Sequence, residues 1–352
     1  MILRGIIGLI FLSFFGGVYS QFKSTFNNRI ISVDRGEDYS FIISGHFYGD
    51  GSNKTGYPAN TLLANLDWIN NSDAEMLVCL GDLFMDIKKD MPFYEASLFS
   101  QLQMPLVNAV GNHDLTGNVY EENYGKTFYK FQLGSDIHLV LDTELDDGNI
   151  EGSQLDLLNS IKDEVKDGQI NNVFIYMHRT IWSDAYDEME GLFVENTQSI
   201  TATNYKQEVL PILNEIANES SLYLFSGSLG PAPASFFYFK DEEHNFDIIA
   251  TAIRAMPRDA LLLVDVIDGQ TTFRLQSLTG ETLNPLESYN IGLWQNSVGK
   301  PPFNWRLVPL YFKNMLTHRY FWYGITYTTL GIVLLLLFWK RRLRKKIEQS
   351  KR

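Results

Sequence analysis

Short apolar runs bounded by polar residues recur along the chain and predict buried strands. In the first half of the sequence these runs are residues 39–44, 76–80, 106–110, 138–141 and 173–177. Leucine and isoleucine recur at helical spacing in residues 61–69 and 155–165, and residues 93–102 form a third candidate helix. Strands that alternate with helices in this way predict an α/β architecture.

The second half of the chain is richer in strands than in helices. Its apolar runs are residues 222–225, 236–239, 248–253, 261–266 and 271–275. Gly269 separates the last two runs, which we therefore expect to form a hairpin. This strand-rich end predicts a second sheet, so the expected fold class is α/β with two sheets.

Residues 1–20 have the pattern of a secretory signal peptide. A basic residue, Arg4, precedes an apolar run at residues 5–15, and small residues stand near Val18 and Ser20. This order predicts cleavage near Gln21. The alternative interpretation is an uncleaved N-terminal anchor.

The C-terminal region has the pattern of a membrane anchor. Residues 320–339 lack charged side chains, include four consecutive leucines and carry Tyr or Trp near both ends. Such a helix is long enough for the hydrocarbon core of a bilayer, which is about 30 Å thick. Residues 340–352 carry eight Lys/Arg and one Glu, which places this tail in the cytoplasm by the positive-inside rule.

These ends define the expected organisation of the chain. We expect a signal peptide (1–20), an extracytoplasmic domain (21–300), a linker (301–319), a transmembrane helix (320–339) and a basic tail (340–352). The domain would then lie in a periplasmic, extracellular or lumenal compartment. Cys79 is the single cysteine, so no disulfide forms within the chain, and the 45% hydrophobic composition must supply the core.

Charge is distributed unevenly along the chain. The formal net charge is −13, while the basic tail alone carries +7, so the rest of the chain carries −20. A body this acidic repels polyanions. Nucleic acid is therefore excluded as an expected partner.

Polar residues able to bind a metal follow three of the predicted strands. Asp82 follows the run at 76–80, Asn112 and His113 follow 106–110, and His178 follows 173–177. Ligand sites in open α/β sheets gather at the carboxyl ends of strands, so these side chains are expected to converge. A mixed set of oxygen and nitrogen donors suits Mn, Fe or Zn.

Taken singly, these residues have simpler interpretations. Asp82 would serve as a helix cap, His178 as a core histidine, and His46 as a loop residue. Three such residues at strand ends are harder to explain by packing, which favours a shared site. His138 and His318 are instead assigned to a strand and to the membrane edge.

The motifs Gly81-Asp82, Gly111-Asn112-His113-Asp114 and His178, in this order, resemble those of calcineurin-like metallophosphoesterases. The resemblance covers residues 41–275. It implies two packed β-sheets flanked by helices and a centre of two divalent ions. It also implies that Asp82 bridges the ions and that Asn112 and His178 bind one of them. By the same resemblance, His113 is the general acid for the leaving group and Asp114 orients it.

Two motifs depart from that pattern. Where the family has Asp-x-His the chain has Ser44-Gly45-His46, so His46 is retained and the aspartate is not. Where the family has Gly-His-x-His, the two histidine positions are occupied by Ser228 and Gly230. One ion would keep only His46 and Asp82, so the chain is expected to hold one ion or two.

Nearby residues were considered as replacements for the lost ligands. Asp50, four residues after His46, is the first candidate, and Asp86 and His244 are weaker ones. Arg179 follows His178 directly and is a candidate ligand for a substrate phosphate oxygen.

Three functions are consistent with these features. The first is a membrane-anchored, extracytoplasmic, metal-dependent hydrolase of phosphomonoesters or phosphodiesters. Its substrate would be a phosphorylated small molecule or a lipid headgroup, because the anchor favours substrates at the membrane surface. The second is an inactive relative that binds a ligand or partner in the same cleft. The third is a scaffold subunit of a membrane assembly, since fold alone does not fix function.

Overall fold

The computed structural model describes residues 20–193, 203–230, 232–297, 316 and 319–350. These fall into two units, Met1–Val298 and Gly299–Arg352. Residues 1–19 of the predicted signal peptide and nearly all of the predicted linker lie outside the described residues. The signal peptide and the linker therefore stay predictions.

The first unit contains strands and short helices in alternation. Its strands are β1 (Ser20–Lys23), β2 (Ile30–Val33), β3 (Tyr39–Ser44), β4 (Met76–Cys79), β5 (Leu106–Asn108), β6 (Tyr129–Leu133), β7 (Asp136–Val140), β8 (Asn172–Met177), β9 (Ser221–Ser226), β10 (Phe236–Asp241), β11 (Phe246–Thr251), β12 (Ala260–Ile267) and β13 (Gln270–Ser277). Its α-helices are α1 (Asn60–Ala64), α2 (Leu66–Asn70), α3 (Ile87–Tyr94), α4 (Val119–Tyr124), α5 (Gly152–Val165), α6 (Leu210–Ala217) and α7 (Ile291–Ser297). Single turns of π-helix (Glu95–Phe99, Tyr205–Val209) and of 3-10 helix (Ile181–Ala185, Asp187–Met189, Leu286–Ser288) complete it.

The strands form two large sheets and one small one. A five-stranded sheet has the order β13-β12-β3-β4-β5, in which β3, β4 and β5 run parallel. A six-stranded sheet has the order β10-β11-β9-β8-β7-β6, with β11, β9, β8 and β7 parallel. Strands β1 and β2 form a separate antiparallel pair.

The two large sheets pack face to face, and helices cover their outer faces. Alternate residues point to opposite faces of a strand. On β3, Phe41 therefore joins the core between the sheets, where its ring lies 5.2 Å from that of Phe174 on β8. The next residue, Ile42, packs with the helical side chain Leu62 on the outer face. Ile175, which follows Phe174, packs with residues of α5 and α6 on the opposite side of the molecule.

This architecture confirms the predicted α/β class and the two-sheet sandwich flanked by helices. The allocation of strands to sheets was wrong in one respect. The late hairpin of β12 and β13 does not belong to a second sheet, because β12 pairs antiparallel with β3 and completes the first. The second sheet is instead assembled from the middle of the chain, from β6 to β11.

Two predicted helices also differ in detail. Residues 61–69 form two short helices that meet at Asn65. The helix expected at 93–102 begins earlier, as α3, and continues into the π-helical turn Glu95–Phe99. The earlier start has a local cause, because the buried Asp90 carboxylate accepts hydrogen bonds from the backbone N–H groups of Met85 and Asp86.

In the second unit, the described residues include the long helix Arg319–Ser350. Its segment Phe321–Arg344 has 24 residues and is long and apolar enough to cross a membrane. Most large apolar side chains of this segment, including the four consecutive leucines, are exposed. The predicted span at 320–339 therefore falls within one continuous helix.

Candidate metal centre

Three residues with metal-binding side chains converge at the carboxyl ends of β3, β4 and β8. They are His46, Asp82 and His178, all buried, and one potential ligand atom from each lies within 4.8 Å of the others. Strands β3 and β4 are parallel neighbours in one sheet, whereas β8 belongs to the other sheet. The cluster therefore lies where the two sheets meet at one edge of the sandwich.

The backbone turns sharply at two of these residues. His46 has φ of 57° and Asp82 has φ of 54°, which are left-handed values that are unusual for residues other than glycine. The two turns are joined, since the His46 N–H donates to the Gly81 carbonyl at 3.0 Å. Strained backbone of this kind persists where surrounding structure enforces it and often marks functional sites.

Gly81 allows His178 to approach Asp82. A Cβ atom on Gly81 would lie 2.5 Å from Nδ1 of His178 and 2.6 Å from the Ala109 carbonyl oxygen. Gly81 also has φ of +85°, so both space and backbone conformation require glycine. The glycine before the aspartate is thus part of the site's construction.

Each histidine nitrogen lies at a distance from the Asp82 carboxylate that is typical of two ligands bound to the same ion. Nε2 of His46 lies 3.6 Å from Oδ2 of Asp82, and Nε2 of His178 lies 3.6 Å from Oδ1. These distances exceed those of hydrogen bonds. Ligands at about 2.1 Å from one tetrahedral ion are separated by roughly 3.4 Å, which is close to the observed spacing.

His178 is held in the tautomer that metal binding requires. Its Nδ1–H donates to the Leu80 carbonyl oxygen at 2.8 Å, since a carbonyl only accepts. The lone pair of Nε2 is therefore directed toward Asp82. A backbone carbonyl behind a metal-binding imidazole is a common way of fixing its orientation.

His46 carries the clearest sign of a missing partner. It is 5% exposed, and neither ring nitrogen forms a hydrogen bond in the described structure. Burial is the main cause that lowers the pKa of His46 to about 3, so the ring is neutral at physiological pH. A buried neutral imidazole without partners is costly in free energy, and a bound cation would remove that cost.

Asp82 is poised as an anionic ligand. Burial raises its pKa, but the nearby His178, His46 and His113 outweigh this and lower the pKa overall. The carboxylate also accepts a hydrogen bond from the backbone N–H of His113 at 3.1 Å. Burial lowers the pKa of His178, but Asp82 and Glu144 outweigh this and raise it overall, so an ion bound there competes with a proton. The residues present thus fit a divalent cation, with one carboxylate and two imidazole ligands.

The turn at residues 111–114 brings His113 to the same place. Its Nδ1–H donates to the Met85 carbonyl oxygen at 2.9 Å, which leaves Nε2 available. Gly111 permits the close approach, because a Cβ there would lie 2.3 Å from Oδ1 of Asp82. Asn112 lies in this turn and is half-buried, and its role as a ligand stays a prediction.

Asp114 has a different environment from the one that the resemblance implied. Its carboxylate accepts hydrogen bonds from the backbone N–H of Phe84 and of Gly111, both at 2.9 Å, and contacts the Asn108 amide at 3.3 Å. The ring of His113 is oriented by Met85 instead. Burial and the Asp82 carboxylate raise the pKa of Asp114 to about 6. Asp114 therefore ties the two ligand-bearing loops together, and its catalytic role stays a prediction.

Arg179 is occupied by carboxylates. Its guanidinium forms a two-pronged ion pair with Glu144, at 2.9 and 2.7 Å, and a further contact of 2.8 Å with Asp147. These contacts raise the pKa of Arg179 although burial opposes the rise. The phosphate-binding role of Arg179 stays a prediction. Trp182 is fully buried and donates to the Ser226 hydroxyl at 2.9 Å.

The candidate replacements Asp50, Asp86 and His244 do not belong to the cluster of possible ligands found among the described residues. Ser44 is buried, and its hydroxyl forms no hydrogen bond with a described residue. In the described residues, the cluster of His46, Asp82 and His178 is the only such group of three or more acidic, histidine or cysteine side chains. The three candidates are engaged elsewhere, Asp50 with the Ser52 N–H, Asp86 with Lys89 and His244 with Asp241.

Two residues near the centre were missed by sequence reasoning. The ring of Tyr48 lies 5.4 Å from that of His46 and 5.1 Å from that of His113. Arg254 follows β11, and its positive charge influences the pKa of both His46 and Tyr48. The position of Tyr48, two residues after His46 in the sequence, could have indicated that it lies near the site. No sequence pattern connects Arg254 with the site.

Comparisons with known proteins agree with the fold. No protein-family model and no curated protein matches the chain. A dimetal phosphatase from Danio rerio is similar in structure, with a TM-score of 0.50, 10% identity and coverage of 68% of this chain and 96% of the other. The chain therefore has a metallophosphoesterase fold.

Other solved structures are similar to a lesser degree. A purple acid phosphatase from yellow lupin seeds has a TM-score of 0.49 and 10% identity, covering 74% of this chain and 57% of that one. Vacuolar Protein Sorting 29 from Cryptosporidium parvum has a TM-score of 0.32 and 9% identity, covering 68% of this chain and 97% of the other.

Proposed function

We propose that the chain is a membrane-anchored, extracytoplasmic, metal-dependent hydrolase of phosphoesters with one strong metal position. The observation that carries this proposal is the buried group of His46, Asp82 and His178, in which both nitrogens of His46 lack hydrogen bonds to any described residue. A purely structural histidine at this position would be expected to hydrogen-bond. The metallophosphoesterase fold supports the same conclusion.

Each residue of the centre has a definite task in this proposal. His46 and His178 present their Nε2 atoms and Asp82 its carboxylate to a divalent ion, with Asn112 as a further oxygen ligand. Manganese, iron or zinc suits this donor set, and such an ion polarises a phosphoryl oxygen and activates water. His113 offers Nε2 for proton transfer to the leaving oxygen, while Met85 fixes its ring.

The second unit supports the membrane part of the proposal. The apolar part of the candidate span Phe321–Arg344, up to Trp339, anchors the protein, and the basic residues from Lys340 onward lie in the cytoplasm. The domain then acts on the outer side, on a phosphorylated small molecule or a lipid headgroup. Resistance of the full chain to alkaline carbonate extraction, with the domain protected from protease in sealed vesicles, tests this arrangement. Release by carbonate would contradict it.

An inactive binding or scaffold subunit is the second candidate. The residues Ser44, Ser228 and Gly230 at expected ligand positions favour this alternative. The turn that directs His113 toward Asp82 argues for retained chemistry. Metal content and hydrolysis distinguish the two functions.

The deciding experiment uses the full chain purified in detergent. Metal content is measured after incubation with Mn²⁺, Zn²⁺ or Fe²⁺, together with hydrolysis of an aryl phosphomonoester and an aryl phosphodiester. We expect about one bound ion per chain. Asp82→Asn should lose the ion and the activity, and His113→Gln should keep the ion and lose activity by roughly 10²–10⁴-fold. Asparagine is chosen because it tolerates the left-handed backbone of Asp82.

Asp86→Asn is the matched control, because Asp86 lies four positions away and pairs with Lys89 outside the centre. It should retain both metal and hydrolysis. If the chain neither binds metal nor hydrolyses either substrate with any of the three ions, the proposed hydrolase function is wrong and the binding function is favoured.

A further inference from the structure

Two arginines on the loop after β11, Arg254 and Arg258, form no ion pair within the part of the chain that the structure describes, although both are half-buried. One guanidinium nitrogen of Arg258, Nη2, is buried without a hydrogen bond. Burial and the neighbouring Arg254 lower the pKa of Arg258 to about 10. The buried Asp259 carboxylate partly offsets this charge, since its attraction raises the pKa of Arg258, but it does not pair directly with either guanidinium among the described residues. Two adjacent cations with so little direct pairing favour a further anion.

The loop runs alongside the metal centre. The Gly45 N–H donates to the Thr251 carbonyl at 3.0 Å, and the Ile253 N–H donates to the Gly45 carbonyl at 3.1 Å. Gly45 directly precedes His46, and Ile253 directly precedes Arg254. The backbone that carries Arg254 is thus bonded to the backbone that carries a candidate metal ligand.

The side chain of Arg254 reaches the position of a lost ligand. Its Nη1 donates to the Gly230 carbonyl oxygen at 2.5 Å. Gly230 occupies one of the two positions at which the resemblance implied a metal-binding histidine. The loop of Gly230 is itself close to the centre, since the N–H groups of Gly227 and Ser228 both donate to the His178 carbonyl. A fixed positive charge is therefore present beside the half of the centre that has lost its ligands.

The loop is held rigidly. The fully buried Asp259 carboxylate accepts the backbone N–H of Arg254 at 2.9 Å and of Met256 at 3.2 Å, and the Thr61 hydroxyl at 2.7 Å. Between them, Ala255 has φ of 54°, which is a strained value for alanine. Arg254 is thus presented by a preorganised turn, as groups that bind charged substrates commonly are.

We propose that the guanidinium of Arg254 takes the place of a second metal ion, so that a phosphoryl group binds between Arg254 and one ion held by His46, Asp82 and His178. This inference rests on the proposed function. Arginine suits this task because its planar array of N–H groups binds phosphate oxygens with charge-assisted hydrogen bonds. Arg258 adds positive potential behind Arg254. The positive charge of Arg254, from another loop, thereby replaces the charge of the ion whose ligands are missing at Ser228 and Gly230.

The test measures phosphate binding and metal content separately. Full-length protein in detergent, loaded with Mn²⁺, is titrated calorimetrically with inorganic phosphate, and bound manganese is counted in the same samples. In Arg254→Gln we expect phosphate affinity to fall about 10- to 100-fold while manganese content is unchanged. Arg254→Lys should recover part of the affinity. Glutamine removes the charge but is two bonds too short to keep the contact of Nη1 with the Gly230 carbonyl, so Arg254→Lys, whose longer side chain keeps the charge, separates the effect of charge from that of the contact.

Arg274→Gln serves as the matched control, because Arg274 on β13 is paired with Asp265. It should bind phosphate like the wild-type chain. Unchanged phosphate affinity in Arg254→Gln, or two bound manganese ions per wild-type chain, would overturn the inference while leaving the hydrolase intact. Absence of manganese binding in the wild-type chain would overturn the hydrolase, and with it the pairing of Arg254 with an ion.

Discussion

Nε2 of His46 lies 3.6 Å from Oδ2 of Asp82, and both residues have left-handed backbone conformations. The spacing is too long for a hydrogen bond and suits two ligands of one ion. The backbone strain and the unpaired nitrogens of His46 both reduce the stability of the metal-free protein. A protein that retains this arrangement is organised for a ligand that offsets those costs.

Metal binding should therefore stabilise the protein measurably. A ligand that binds only the folded state at 100 times its Kd adds about 2.7 kcal/mol to the free energy of unfolding. We expect Mn²⁺ or Zn²⁺ to raise the Tm of the wild-type chain and of Asp86→Asn, and to leave the Tm of Asp82→Asn unchanged. Thermal unfolding with and without each ion provides the measurement. An equal rise in Asp82→Asn would place the ion elsewhere.

Gly81 and Gly36 form a matched pair for testing the construction of the centre. Their φ values are +85° and +81°, but a Cβ on Gly81 meets His178 whereas a Cβ on Gly36 meets nothing within 4 Å. Both alanine variants should lose about 1 kcal/mol of stability from backbone strain. Gly81→Ala should in addition displace His178. Because disturbing the orientation of a metal ligand weakens binding, we expect metal affinity to fall by roughly tenfold or more. Metal titration of the two folded variants decides the matter, and equal affinities would contradict the assigned role of Gly81.

Local patterns predicted the α/β class and the converging residues, whereas the packing of two sheets into a sandwich was implied by the resemblance. Continuous apolar runs marked strands buried on both faces, such as β4 and β8, and polar residues at their ends marked the site. Sheet membership was less accessible, because the pairing of β12 with β3 joins segments more than 200 residues apart. The same limit applies to Arg254, whose position beside His46 depends on hydrogen bonds between Gly45 and the end of β11.

Side-chain partners were also beyond the sequence. The pair of Arg179 with Glu144 links residues 35 positions apart, and nothing in the local pattern indicates that the carboxylate is available. The resemblance likewise implied that Asp114 orients His113. In the structure, Nδ1 of His113 is hydrogen-bonded to the backbone carbonyl of Met85. A backbone contact of this kind cannot be predicted from the pattern of side chains.

Removal of the Arg179 side chain tests whether its main role is structural. The side chains of Arg179 and Glu144 are 11% and 4% exposed, so Arg179→Met removes the cation from a buried carboxylate. We expect a loss of about 3 kcal/mol in the free energy of unfolding, with metal affinity preserved. The double variant Arg179→Met with Glu144→Gln should recover part of that stability. Wild-type stability combined with a raised KM would instead support the predicted phosphate-binding role.

His138 should make the stability of the fold sensitive to acid. Its neutral ring is fully satisfied between the sheets, because Nδ1 accepts from the Tyr176 hydroxyl at 2.8 Å and Nε2–H donates to the Tyr39 hydroxyl at 3.1 Å. The Tyr39 hydroxyl in turn donates to Asp136 at 2.8 Å. A proton added at Nδ1 would break this chain of hydrogen bonds, and burial accordingly lowers the pKa of His138 to about 3.

The sign of the effect follows from the lowered pKa. Above pH 6.5 the ring is neutral in both the folded and the unfolded protein. Between pH 6.5 and about 3 only the unfolded chain binds the proton, so the free energy of unfolding decreases as the pH is lowered through this window. At pH 4.5 this one residue should cost about 2.7 kcal/mol relative to pH 7. In His138→Gln the loss between the two pH values should be smaller by that amount, whatever the variant's stability at pH 7. Denaturant unfolding of both proteins at each pH measures the difference, and parallel losses would show that the buried ring accepts its proton without breaking the hydrogen bonds to Tyr39 and Tyr176.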